Sequence, residues 1–313
     1  MTINNNFYLS IKDGFGNKIY RIIIGLYIKQ INNKTFNSMI KKSKHDDDNY
    51  TYHILNIFPN LKKEITLFDN YEILDKYFPL DERINIDCSY NFDFYFQKSN
   101  KPIFLQKVSK CFKYIFEIYP KLDLKYKKIL EINEAIISKN IVEMSKNEFV
   151  LVHIRYGDKL DISHKAYYRN KKENIFKFIT YKPEYYIKMI KKFKKKNKKI
   201  LIISDDNTIV KKFILNKINY DNIHLLDISF LDSFYLLTKA KYIILSISTF
   251  SFLGMLINLN LKKAYYLKRP NELNKFIIPE EIHFNTNKLK IYENKKYILN
   301  YDQKLMYNMI KSR

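Results

Sequence analysis

Between residues 148 and 267 short apolar runs alternate with longer amphipathic stretches. Residues 148–154 (EFVLVHI), 200–204 (ILIIS), 223–226, 242–245 and 264–267 are brief and nearly free of charge. Runs of that kind predict strands, the first buried on both faces of a sheet. The stretches between them, 183–199, 208–216, 232–238 and 250–258, have helical spacing, and Pro183 suits the first turn of its helix. Strand–helix alternation predicts an α/β fold built on a doubly wound parallel sheet. Such sheets bind ligands at the carboxyl ends of their strands.

The pattern ahead of residue 148 is less regular. Residues 6–11 predict a strand and 18–30 a helix, joined by a glycine turn. The polar stretch 33–49 reads as a loop, and 102–116 and 122–138 read as helices. No repeat of solenoid period is present. The expected organisation is two Rossmann-like units with a cleft between them: residues 1–147, then 148–270. A C-terminal segment, 271–313, is expected to pack back on the core.

Composition sharpens this picture. The chain has 313 residues, 46% hydrophobic and 16% aromatic, enough for one large or two medium cores and too much for disorder. Lysine and arginine number 56 against 32 aspartates and glutamates, a net charge of +24. Only Arg21, Arg83, Arg155, Arg169, Arg269 and Arg313 are arginine. Glycine occurs five times, where ordinary usage gives roughly 22. Trp is absent, and Lys, Asn, Ile and Tyr abound. That bias matches AT-rich coding, in which lysine fills interchangeable surface positions, so the charge alone is weak evidence of a binding surface. A glycine or arginine that survives the bias is correspondingly informative.

Several function classes recede. A nucleic-acid-binding module would concentrate its basic and stacking residues; here they spread along the whole chain, and the lysines of 188–199 read as the solvated face of a helix. Contact with an anionic membrane surface is the other use for such charge. Cys88 and Cys111, without a CxxC spacing, support neither a disulfide framework nor a zinc site, and suit a reducing compartment. Residues 1–10 lack the features of a signal peptide. The uncharged run 242–261 has membrane-span length but carries Ser246, Ser248, Thr249, Ser251, Asn258 and Asn260. It reads as a buried strand, a polar loop and a helix. The expected location is the cytoplasm or the cytoplasmic face of a membrane.

All five glycines fall in three places: Gly14, Gly16 and Gly25 near the first turn, Gly157 after the 148–154 strand, and Gly254 after the 242–245 strand. These are strand-to-helix junctions, where backbone turns sharply and approaches ligands. Their neighbours carry a resemblance. The chain resembles the α-1,2-fucosyltransferase family (glycosyltransferase family 11), within the wider group of GDP-fucose transferases. The family's GGLGNQ-like turn is similar to Asp13, Gly14, Phe15, Gly16, Asn17 and Lys18, and Gly25 keeps its spacing. Its HxRRxD signature resembles His153, Ile154, Arg155, Tyr156, Gly157 and Asp158. Its SDD resembles Ser204, Asp205 and Asp206; its NSSFSWWGA block resembles residues 247–254, with Ser248, Thr249, Phe250 and Ser251 at the front. Tyr95, Phe96 and Gln97 are also similar to the family. Departures are Asp13, Lys18, Ile247 and above all Tyr156, where the signature has a second arginine.

The resemblance implies a GT-B-like fold, the donor GDP-sugar bound by 148–270 and the acceptor facing 1–147. It implies an inverting transferase that moves L-fucose from GDP-fucose to a glycan hydroxyl, α-1,2 to galactose being the leading linkage; a different nucleotide sugar is the alternative. It implies no metal and no further cofactor; Asp46, Asp47 and Asp48 superficially resemble a metal-binding DxD but lie in a polar loop. Arg155, just past a buried strand, has the always-charged fork that a leaving diphosphate requires. His153 shares its side of the strand, beside the nucleotide or as a core histidine. Asp205 and Asp206 suit a guanine N–H edge, or else cap the next helix. Ser248 and Thr249 offer hydroxyls and backbone N–H groups to an anion, or simply cap. Gly14, Gly16 and Asn17 are expected to face the sugar. Asp158 is a candidate base for the acceptor proton, and Gly-Asp is equally an ordinary turn.

Overall fold

The structure, a computed structural model, describes residues 6–11, 15–32, 35–40, 50–68, 103–105, 112–161, 180–267, 289–292, 295–299 and 302–313. The chain divides into two units, one ending its main run at Ile136 and the other beginning at Ile137.

The first unit runs β1 (Asn6–Ile11), α1 (Phe15–Asn32), β2 (Thr35–Ile40), α2 (Tyr50–Ile57), β3 (Ile65–Phe68), β4 (Ile103–Leu105), α3 (Phe112–Lys121) and α4 (Leu124–Ile129). Its strands form a parallel sheet in the order β3-β2-β1-β4. Helix α1 (FGNKIYRIIIGLYIKQIN) carries apolar residues around its whole circumference, and Ile19, Ile22, Ile23, Ile24, Leu26 and Ile28 are all fully buried.

Three expectations are corrected in this unit. The stretch 33–49 holds β2, which pairs in register from Asn6↔Thr35 to Ile11↔Ile40. Residues 102–116 are not one helix: IFL forms β4 beside β1, and α3 starts only at Phe112. The expected helix 122–138 breaks after α4, where Asn133 donates its N–H to the Ile57 carbonyl and accepts the Ala135 N–H on its side chain. A local side-chain bond of that kind competes with helical pairing.

The second unit runs α5 (Lys139–Ser145), β5 (Val150–Ile154), α6 (Pro183–Lys194), β6 (Ile200–Ser204), α7 (Asn207–Phe213), β7 (Ile223–Leu226), α8 (Phe230–Lys239), β8 (Tyr242–Ile244), α9 (Thr249–Leu256), β9 (Lys263–Leu267), β10 (Leu289–Tyr292) and α10 (Gln303–Lys311). Its sheet is parallel throughout, in the order β10-β9-β8-β5-β6-β7. The five strands expected between 148 and 267 are all present, and β10 adds a sixth. Every residue of β5 is buried, as an all-apolar central strand requires. At the edge, β7 is half-exposed.

The division between the units falls at 136/137 instead of 147/148, because α5 is tied to α8. Asp232, buried in the first turn of α8, accepts hydrogen bonds from the Ser138 N–H (3.0 Å), the Ser138 hydroxyl (2.8 Å) and the Ser229 hydroxyl (2.9 Å). Ser229 in turn accepts the Asp232 N–H, a reciprocal cap. Helices α8 and α9 meet at Gly254, where a β-carbon would lie 2.4 Å from Leu237 Cβ. The uncharged run 242–261 resolves into β8, a loop and α9, and among the described residues no helix is long and apolar enough to cross a membrane.

Candidate active site

The order of the second sheet reverses at β5. From it the chain winds outward through β6 and β7 on one side, and through β8, β9 and β10 on the other. The carboxyl ends of β5 and β8 therefore diverge into a crevice, the place where open α/β sheets bind ligands. Of the residues singled out in the 148–254 region, His153, Arg155 and Ser248 come together there.

His153, the fourth residue of β5, sits against the loop after β8, with Nδ1 2.6 Å from the Ser246 hydroxyl. Its ring packs on Phe250 at 5.6 Å between centroids. Burial, and secondarily the charge on Arg155, lowers its pKa to about 3. A group so desolvated favours its uncharged form, so the imidazole is neutral at physiological pH. Two residues on, Arg155 repeats the pairing one step further out: Nη1 donates to the Ser248 hydroxyl at 3.4 Å. Its Nη2 and Nε reach Asp158 at 3.1–3.3 Å, and Nε lies 3.8 Å from Asp205 Oδ2. The guanidinium is thus aimed at the crevice and about one-third exposed.

Asp205, just beyond β6, accepts the N–H groups of Tyr156 (2.8 Å) and Gly157 (3.0 Å) on a single oxygen. It is a backbone clamp that shapes the turn after β5. Burial pushes its pKa up against the opposing pull of those two N–H groups and Arg155. A β-carbon on Gly157 would come within 2.6 Å of Asp205 Oδ2, so the clamp needs glycine. Asp206 caps α7, its Oδ1 accepting the Ile209 N–H at 3.0 Å. Ser248 stands at the N-cap of α9, yet its side chain makes no capping bond and meets Arg155 instead. Thr249 and the half-buried Phe250 open that helix.

Tyr156 points the other way. It is fully buried, edge-on to Tyr186 at 6.1 Å, and its hydroxyl has no partner among the described residues. The position that departs from the family signature is a core position in this chain.

In the first unit the sheet order reverses at β1. Gly16 and Asn17 lie in the first turn of α1, directly downstream; Gly14 lies outside the described residues, as do Tyr95, Phe96, Gln97 and Asp46 to Asp48.

Comparison with known families decides what this crevice belongs to. The model of glycosyl transferase family 11 matches residues 89–289, more than half of the chain. The chain belongs to glycosyl transferase family 11. It is a glycosyltransferase. Among curated proteins none matches it. Among solved structures the family 11 chain is similar to the fucosyltransferase NodZ from Bradyrhizobium, at 13% identity over 82% of this chain and 94% of that one, TM-score 0.46. It is also similar to POFUT1 in complex with GDP, at 14% identity over 82% and 94%, TM-score 0.39.

Sequence reasoning did not single out three residues that meet these side chains. Ser246 partners His153 and was legible as the residue two before Ser248, the same spacing as His153 to Arg155. Asp161 and Arg313 meet beside Gly157. The scarcity of arginine singled out Arg313, but nothing local in the sequence says where it folds.

Proposed function

We propose that this family 11 glycosyltransferase moves L-fucose from GDP-fucose to a glycan hydroxyl, with inversion, forming an α-1,2 link to galactose. The observation that carries the reading is the double pairing of His153 with Ser246 and Arg155 with Ser248 across the carboxyl ends of β5 and β8. It sets an always-charged, bidentate donor and a serine hydroxyl where a diphosphate would lie. Family membership and the match to the GDP-fucose transferase motifs support the donor.

In the proposed reaction the acceptor hydroxyl oxygen attacks the anomeric carbon from the face opposite the nucleotide. The bond from that carbon to the β-phosphate oxygen breaks, and its electron pair leaves with GDP. Arg155 stabilises that growing charge, assisted by Ser248. An arriving diphosphate competes with Asp158 for the guanidinium, which frees the carboxylate to take the acceptor proton. His153, neutral at pH 7, is a hydrogen-bonding wall of the nucleotide site and not its acid or base. Asp205 holds the turn that presents Arg155. Gly14, Gly16 and Asn17 are proposed to face the sugar in a GT-B-like fold, and no metal is required. The basic surface allows peripheral contact with an anionic membrane.

The test is a donor screen: purified protein with GDP-fucose, other GDP-sugars and UDP-sugars, each with a galactoside acceptor, followed by release of free nucleotide. Release from GDP-fucose that depends on the galactoside is expected. Release from UDP-sugars alone would overturn the donor.

A further inference from the structure

Arg313 follows α10, far in sequence from the crevice, yet its three kinds of guanidinium nitrogen each meet a different acceptor there. Nε donates to Asp206 Oδ2 at 2.5 Å, Nη1 to Asp161 Oδ1 at 2.6 Å and Nη2 to the Gly157 carbonyl at 2.6 Å. The acceptors belong to the two segments that follow β5 and β6: a helical turn at 157–161 and the N-cap of α7. Gly157 is held from both sides, its N–H by Asp205 and its carbonyl by Arg313. Asp206 likewise spends one oxygen on the α7 cap and the other on Arg313, and its side chain is only 10% exposed.

Charge gives this bracket a consequence. These two segments carry Asp158, Asp161, Asp205 and Asp206. Among the described residues three cations face them: Arg155, Lys159, whose Nζ is 3.9 Å from Asp158, and Arg313. Arg313 is the cation that pairs with Asp161 and the poorly exposed Asp206 among the described residues, so its removal adds negative charge beside the guanidinium meant for a diphosphate. Lysine could supply the charge but not three divergent donors in one plane.

We propose that Arg313 is a positioning residue of the donor site: acting through Asp161, Asp206 and the Gly157 carbonyl, it cancels carboxylate charge next to Arg155 and thereby sets affinity for a nucleoside diphosphate. The inference rests on reading the β5–β8 crevice as the site of an anionic diphosphate donor. It does not require that Arg313 touch the ligand.

The experiment is calorimetric titration of the 313-residue wild type, Arg313→Ala and Arg313→Lys with GDP, UDP, ADP and CDP, at low and high salt. Removing one charge near a multivalent anion weakens binding by on the order of tenfold at low ionic strength, and screening shrinks that loss as the Debye length falls to about 3 Å near 1 M salt. Arg313→Ala is expected to show that salt-dependent loss for whichever nucleotide the wild type binds best. Arg313→Lys should recover most of the binding. Binding of Arg313→Ala equal to wild type at low salt overturns the proposal, as does a loss unchanged by salt, the mark of a merely structural role. Wild type preferring UDP to GDP would overturn the donor assignment while Arg313 is still judged by the ratio of variant to wild type. Wild type binding none of the four would overturn both.

Discussion

Burying an imidazole beside a guanidinium has a measurable cost in acid. The folded pKa of His153 is about 3 and that of unfolded histidine about 6.5, so between those values the unfolded chain binds a proton that the folded chain does not. Stability from this group is complete above pH 6.5 and is lost as pH falls toward 3, at up to ~1.4 kcal/mol per pH unit. Urea unfolding of wild type and His153→Asn between pH 6.5 and 5, above the carboxylate range, checks this; the variant's stability should change less with pH. Tyr156 makes a second residue-scale prediction. Its hydroxyl is buried and has no partner among the described residues, and an unsatisfied buried group costs ~1–3 kcal/mol. Tyr156→Phe should leave the urea midpoint unchanged or raise it, whereas Tyr156→Arg should lower stability by about 3 kcal/mol or more, having placed an unpaired charge among tyrosines. The types and spacing of His153, Arg155, Ser248 and Asp205 were legible in the sequence. That Tyr156 turns inward was not, since its direction depends on α6 packing across β5.

At the scale of elements, the α8–α9 contact makes the sharpest demand. Leu237 Cβ cannot swing away from a methyl group on Gly254, because it is bonded directly to backbone. Overpacking of this kind costs about 1–3 kcal/mol, partly offset by the ~1 kcal/mol helix preference of alanine over glycine. Gly254→Ala is expected to lower the urea midpoint at unchanged m-value; an unchanged midpoint would show that the helices can part freely. The strands of the second unit were legible because each is a continuous apolar run between polar turns, a pattern that central parallel strands must have. The first unit was harder. β2 (TFNSMI) lies next to polar residues and takes its identity from pairing with β1, and β4 is too short for any periodicity. Non-local pairing decides such segments, and a sequence window does not contain it.

For the whole molecule, the net charge of +24 predicts association with anionic vesicles that sediments the protein at low salt and fades toward physiological salt. Single-stranded nucleic acid should behave alike and leave transfer activity intact; inhibition at stoichiometric amounts and physiological salt would instead favour a nucleic-acid role. The order of the second sheet, reversing at β5, is what brings the distant motifs of Arg155 and Ser248 together, and it gives Arg155 its central place. Its pairing with Asp158 is partly exposed and contributes little to folding, so its removal should leave the fold intact. Steady-state turnover of GDP-fucose by wild type, Arg155→Ala and Arg155→Lys, with circular dichroism as the folding control, tests the assignment directly. Losing one preorganised contact to the departing diphosphate lowers turnover by about 10²–10³, and lysine, which keeps the charge without the fork, should restore only part of it. A folded Arg155→Ala enzyme with turnover within about threefold of wild type would contradict a donor site at the ends of β5 and β8.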